Sequence, residues 1–119
     1  MEYANWLLIG MVGLFLLKQF LPAKGVRTIG TEELKPLLKD KSIQFIDVRT
    51  PGEFGARHIR EFKNIPLNQI GQKATHLDME KEVVVICQSG MRSNKAAKQL
   101  KKLGFKKVIN IKGGMNTWP

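Results

Sequence analysis

The single cysteine of this 119-residue chain, Cys87, sits in a setting arranged for chemistry. Val83-Val84-Val85-Ile86 runs directly into Cys87-Gln88-Ser89-Gly90-Met91-Arg92-Ser93. Four consecutive β-branched residues read as a central strand buried on both faces. Such a strand delivers the thiol to its carboxyl end, where open α/β sheets bind ligands. A tight loop containing Gly90 follows, and then the N-terminus of a helix beginning at Arg92 or Ser93. Loop amides and a helix N-terminus favour negative charge, so a thiolate there is stabilised and available as a nucleophile. Arg92 adds a fixed positive charge nearby. A cysteine that merely closes a strand as a small hydrophobe would account for the strand. It would not account for the loop and helix that follow.

Other residues in reach of this chemistry have plainer readings beside functional ones. Asp47 and Arg49 end an earlier strand and are expected at the structural rim of the site, as an ion pair or loop clamp. His58 is a tempting base for Cys87, but a hydrogen-bonded structural histidine is the better reading. His76 lies in a polar stretch and is expected to be exposed. Trp118 reads as a packing anchor. Gly90 has a backbone role in the tight loop. Two roles stay open for Arg92, binding an anionic donor or holding the loop by hydrogen bonds. Ser93 either caps the helix or donates to a sulfur adduct, and capping is the safer assignment. One cysteine excludes an internal disulfide and a multi-cysteine metal site.

The elements that must position these residues alternate between strand and helix from Val26 onward. Val26–Ile29 reads as a short edge strand. Thr31-Glu32-Glu33 caps a helix to about Lys39, with Leu34, Leu37 and Leu38 on one face and Pro36 shortening or bending it. Ile43–Val48 is a strand, and Pro51–Arg57 a short helix with proline in its first turn. Lys63–Ile65 is a strand ended by Pro66, and Leu67 to about Leu77 is weakly helical. Glu82–Cys87 is the central strand. The helix after the loop carries Ala96, Ala97, Leu100 and Leu103 on one side and stops at Gly104. Val108–Ile111 is a last strand, Gly113-Gly114 a turn, and Met115 the start of a final short helix. The pattern implies an α/β domain with a mainly parallel central sheet.

The N-terminus is different. From Trp6 to Leu17 no residue is charged. As a helix, Ala4–Leu21 would reach about 27 Å, just short of a hydrocarbon core. Tyr3 and Trp6 sit where interfacial aromatics would, and Lys18 can snorkel. A cleaved signal would need a basic start and a small-residue cleavage site, and neither is present. A transmembrane anchor over residues 1–21, a linker over 22–25 and a domain over 26–119 is the organisation expected. Lys18, Lys24 and Arg27 follow the apolar stretch, so the positive-inside rule places the domain in the cytoplasm, at the cell membrane as a single-pass protein. The net charge of +10 lies wholly beyond residue 21, where Glu2 and Lys18 have cancelled. Lys95, Lys98, Lys101, Lys102, Lys106 and Lys107 read as a solvated face ahead of a lipid-binding patch. No nucleic-acid partner is expected, because no stacking aromatics are interleaved with these lysines.

The loop Cys87-Gln88-Ser89-Gly90-Met91-Arg92-Ser93 resembles the active-site loop of single-domain rhodaneses, of the form Cys-x-x-Gly-x-Arg-Ser/Thr. Phe45-Ile46-Asp47-Val48-Arg49 is similar to that family's Asp-Val-Arg strand end. Glu53-Phe54, His58-Ile59 and Asn64-Ile65-Pro66-Leu67 follow its next elements in order. Gly113-Gly114-Met115-Asn116-Thr117-Trp118 is similar to its closing Gly-Gly-x-x-x-Trp. The resemblance covers about residues 26–119 and implies a three-layer rhodanese-like domain. It departs at Arg57 and at Glu61-Phe62, where the family has glycine and Gly-Ala. It departs again at Gln88, where many thiosulfate-using relatives carry arginine.

The resemblance implies a sulfurtransferase. Cys87 would take sulfane sulfur from a small donor, thiosulfate or a persulfide, hold it as a persulfide against residues 88 to 93, and give it to cyanide or a thiol acceptor. Residues 88–93 would form the substrate-binding cradle, and no cofactor or metal would be needed. Two other classes compete. One is a non-catalytic docking or regulatory module of the same fold, which the intact loop disfavours. The other is a phosphatase or arsenate reductase. Phosphatase relatives of the fold have five residues between cysteine and arginine, and this chain has four, a loop better sized for a single sulfur atom.

Overall fold

The computed structural model describes residues 2–20 and 24–119. Half of the linker expected at 22–25, Pro22 and Ala23, lies outside the described residues together with Leu21. Five strands form one sheet in the order β1-β5-β4-β2-β3. They are β1 (Arg27–Ile29), β2 (Gln44–Asp47), β3 (Lys63–Asn64), β4 (Val83–Ile86) and β5 (Val108–Ile111). Every pairing is parallel, which extends the expectation of a mainly parallel sheet. Helices α2 (Thr31–Leu37), α3 (Pro51–Ala56), α4 (Ile70–Lys73) and α5 (Met91–Leu103) connect or follow the strands.

Side-chain alternation along β4 builds two cores, one on each face of the sheet. Val83, Val85 and Cys87 point toward α4 and α5, among Ile70, Ala96, Ala97, Leu100 and Phe105. Val84 and Ile86 point the other way, toward Leu34 of α2 and toward Phe45, Phe62 and Met115. All four residues of β4 are fully buried, the double-sided burial that their β-branched run implies. Burying each such side chain contributes about 1.5–3 kcal/mol. The central strand is therefore among the firmest parts of the fold, and the thiol rides at its end.

Several boundaries differ from those expected of the sequence. The residue capping α2 is Gly30, and the Thr31 hydroxyl donates instead to the Thr117 carbonyl at 3.1 Å. Leu67 to Leu77 divides into a 3-10 turn, the single turn α4 and another 3-10 turn. Helix α5 starts at Met91, ahead of Arg92 and Ser93, and Gly104 ends it in a left-handed conformation at φ 110°. Leu103 was expected on the buried side but is exposed, because the chain reverses at Gly104 and inserts Phe105 in its place. The final helix is a 3-10 turn over Gly114–Thr117.

Residues Glu2–Phe20 form helix α1. Its apolar side chains, from Tyr3 to Leu17, are exposed on all sides. Among the described residues no helix is long and apolar enough to cross a membrane. The expected transmembrane span is thus corrected to an exposed apolar helix. Nineteen residues give about 28 Å of rise, and Lys18 falls in the last turn.

Candidate active site

The parallel register sets β2 and β4 side by side with Asp47 opposite Ile86. Cys87 therefore emerges next to Val48, whose N–H donates to the Ile86 carbonyl at 2.9 Å. The chain turns at Gly90, which has φ 101° and acts as the N-cap of α5. Only glycine adopts that conformation without strain. The turn aims the Gly90 N–H at Cys87 Sγ, 3.0 Å away. The thiol is thus both hydrogen-bonded by the loop and set at the positive end of a 13-residue helix. Cys87 itself is fully buried, while Met91 at the start of α5 is 43% exposed.

The loop is pinned from behind by the last 3-10 turn. Met115 N–H donates to the Cys87 carbonyl at 2.8 Å, and Asn116 N–H to the Gln88 carbonyl at 2.9 Å. This approach requires Gly114: it sits at φ 56°, and a Cβ there would overlap the Cys87 carbonyl group. The closing Gly113-Gly114 pair thus acts as the back wall of the site.

Asp47 and Arg49 form an ion pair at 2.8 Å. They were expected at the structural rim as an ion pair or loop clamp; the pair forms, and both members are buried, with side-chain exposures of 1% and 3%. The reason is the number of bonds they satisfy below the loop. Arg49 Nε donates to both Asp47 oxygens, Nη2 also to the Arg57 carbonyl at 2.6 Å, and Nη1 to Gln88 Oε1 at 3.2 Å. Gln88 Nε2 in turn donates to Asn116 Oδ1 at 2.6 Å. Asn64 Nδ2 closes the bend by donating to the carbonyls of Asp47 and Arg49.

Arg92 makes a second pair. Its Nη1 and Nη2 donate to Glu53 Oε1 at 2.6 Å and Oε2 at 2.9 Å, a bidentate clamp between α5 and α3. Glu53 is itself oriented by a capping box with Thr50. Both pair members keep 34% of the side chain exposed. The hydrogen bond from Arg92 holds the Glu53 carboxyl well below its ordinary value, at about 2. The same bond raises Arg92, and the Cys87 and Asp47 charges act on it in the same sense.

The remaining site residues are placed as follows. Ser93 is buried inside the helix and donates to the Gly90 carbonyl at 3.2 Å, so the expected capping role falls to Gly90. Ser89 is exposed on the loop. His58 is exposed, bonded through Nδ1 to the Phe54 carbonyl at 2.8 Å and stacked on the Phe54 ring. His76 is exposed, and Trp118 packs against the core face that holds Met115. Among the described residues no group of histidine, cysteine, aspartate or glutamate could hold a metal ion. Sequence reasoning did not find Glu53 as the partner of Arg92. The Thr50-x-x-Glu53 spacing carries a capping-box signal, but nothing local announces a partner 39 residues away.

A family model described as the rhodanese-like domain matches residues 30–119. The chain belongs to that family. It is 39% identical over 97 residues to YrkF of Bacillus subtilis, covering 81% of this chain and 52% of YrkF, so it spans about half of that relative. It is 31% identical over 94 residues to a protein of Allochromatium vinosum named as a sulfurtransferase, covering 78% of this chain and 88% of the relative. Among solved structures, a rhodanese-like domain protein from Staphylococcus aureus superposes with TM-score 0.73 at 32% identity, over 79% of this chain and 92% of that one. The rhodanese-like α/β fold with its all-parallel five-stranded sheet is therefore shared with a known member.

Proposed function

We propose that this rhodanese-like chain is a sulfurtransferase working through a persulfide on Cys87. The Cys87 thiolate attacks the outer sulfur of a sulfane donor, thiosulfate or a persulfide. A bond forms between the two sulfurs as the donor's S–S bond breaks, and sulfite or a thiolate leaves with the electron pair. Cyanide or a thiol acceptor then attacks the outer sulfur of the Cys87 persulfide and returns the thiolate. The observation that carries this reading is the Gly90 N–H directed at Cys87 Sγ at 3.0 Å, at the head of α5. An amide and a helix terminus aimed at sulfur stabilise negative charge there before and after transfer. The name of the Allochromatium relative supports the same reaction class.

The test is to incubate the protein with thiosulfate, and separately with cysteine persulfide, and to take its intact mass. A gain of one sulfur atom, absent in Cys87→Ser, with thiocyanate formed on adding cyanide, is the expected result. No sulfur taken up from either donor sinks the reading and leaves a docking module of the same fold.

A second part of the proposal concerns place. Helix α1 holds the domain against the surface of an anionic membrane. What supports this is an exposed apolar helix with Trp6, Leu7 and Met11 about 70% accessible, followed by Lys18, Lys24 and Arg27, which anionic headgroups would attract. Lys98 Nζ donates to the Lys18 carbonyl at 3.4 Å, which brings basic residues of α5 to the end of α1. Sedimentation with vesicles containing phosphatidylglycerol should carry the full chain down. Loss of that binding in Leu8→Asp/Leu14→Asp is expected, and equal binding by both would overturn the placement.

A further inference from the structure

Both guanidinium groups that join the Cys87 loop to the rest of the fold are neutralised by carboxylates of this chain. Arg49 spends its charge on Asp47, and its Nη1 holds the Gln88 side chain. Arg92, the cation that lies on the loop itself, is clamped through both of its terminal nitrogens by Glu53. Gln88, beside the thiol in sequence, is uncharged and committed at both ends, to Arg49 and to Asn116. Other cations near the loop differ in kind. Arg57 is exposed and directs Nη2 to the carbonyls of Trp118 and Pro119. Lys112, whose main chain backs Gly90, is open to solvent, where ions screen it. The thiol therefore has an amide and a helix terminus to stabilise one negative charge, and among the described residues no unpaired buried cation to receive a second.

Thiosulfate brings two negative charges and releases sulfite, again a dianion. A persulfide, R–S–S⁻ or R–S–SH, brings at most one on the reacting group and releases a thiolate. We propose that, among sulfane donors, Cys87 is built for a persulfide carried on a thiol rather than for thiosulfate; the proposal rests on the sulfurtransferase reading above. The step is Cys87–S⁻ plus R–S–SH giving Cys87–S–SH plus R–S⁻. The new S–S bond forms at the outer sulfur, the old one breaks, the proton stays with the transferred sulfur, and no outside oxidant or reductant is used. Glu53 is then a specificity-determining residue: by holding Arg92 it lowers the positive charge offered to a dianionic donor.

The experiment measures the rate of sulfur loading on the full chain by intact mass, with thiosulfate and with cysteine persulfide. Each rate is divided by that of the same donor with free cysteine at the same pH, which removes intrinsic reactivity. The normalised rate should favour the persulfide by about tenfold or more, the factor one uncompensated charge interaction of ordinary size provides. Glu53→Gln frees Arg92, and Gln88→Arg adds a cation independently. Each should raise the thiosulfate rate by about tenfold relative to the persulfide rate, the gain shrinking at high salt. Circular dichroism checks that both variants are folded, and either one alone suffices if the other is not. A normalised thiosulfate rate equal to or above that of the persulfide overturns the proposal and leaves the transferase reading standing. Folded variants in which thiosulfate gains nothing do the same. Loading by neither donor is a different pattern and removes both.

Discussion

Two ion pairs flank the Cys87 loop, and they differ in depth. Asp47–Arg49 lies beneath it, almost wholly out of water, while Glu53–Arg92 closes its outer side with a third of each side chain in solvent. The chemistry is the same, carboxylate to guanidinium. The consequences differ because desolvation grows with depth and screening falls. The deep pair organises the bend after β2 and the first residue of the loop. The outer pair can exchange with solvent and ions, so it is the one able to adjust what the loop binds.

Breaking the deep pair should have the largest effect. Asp47→Ala leaves the Arg49 guanidinium buried without its carboxylate, and the loss of stability should be about 3–5 kcal/mol, read by urea denaturation. Replacing both members together, as Asp47→Leu/Arg49→Met, should cost far less stability than the single change, since no unpaired charge remains. Sulfur loading should still fall in the double variant, because Gln88 loses the hydrogen bond from Arg49 Nη1. A double variant as unstable as Asp47→Ala would show that the pair acts through packing and not through charge.

Next comes the back wall. Gly114→Ala places a methyl group against the Cys87 carbonyl and demands a positive φ of a residue with a side chain. The strain should be about 1–3 kcal/mol. Its effect on sulfur loading should exceed its effect on stability, because the strained contact is with the main chain of Cys87.

The outer pair is sensitive to pH through Glu53. Glu53 titrates near 2 in the folded protein and near 4.5 without its partners. A folded value below the unfolded one means that the contribution is fully present above about pH 4.5 and is lost as pH falls toward about 2. Urea midpoints measured at pH 7 and pH 3 should therefore differ less for Glu53→Gln than for the unmodified chain. An equal difference in both would mean the clamp is not formed in solution.

How much of this was legible in the sequence follows from how local each cause is. The double-sided strand β4 was readable because four β-branched residues in a row admit few other uses, and the stop at Gly104 because a glycine ends an amphipathic stretch. The tight turn at Gly90 leading from Cys87 into a helix N-terminus was readable because its parts are adjacent in the chain. The depth of Asp47 and Arg49 was not. Two charged residues at a strand end look like surface, and only the convergence of Arg57, Asn64 and Gln88 on them supplies the bonds that make burial tolerable. Thr31 misled similarly. It fits an N-cap by type, but its hydroxyl is taken by Thr117, 86 residues away, and Gly30 fills the place.

A third pair sets the lower end of the comparison. Lys106 and Glu80 meet at 2.8 Å, with 66% and 69% of their side chains exposed. The distance matches that of the deep pair, so distance alone would rank the two as equals. Exposure says otherwise: water and salt screen the charges, and two long side chains lose freedom in meeting. Lys106→Ala should leave the thermal midpoint unchanged within error at physiological salt, and sulfur loading with it. A clear drop would mean that separation, not depth, decides what an ion pair contributes in this fold. The ordering of Asp47–Arg49 over Glu53–Arg92 would then lose its physical basis.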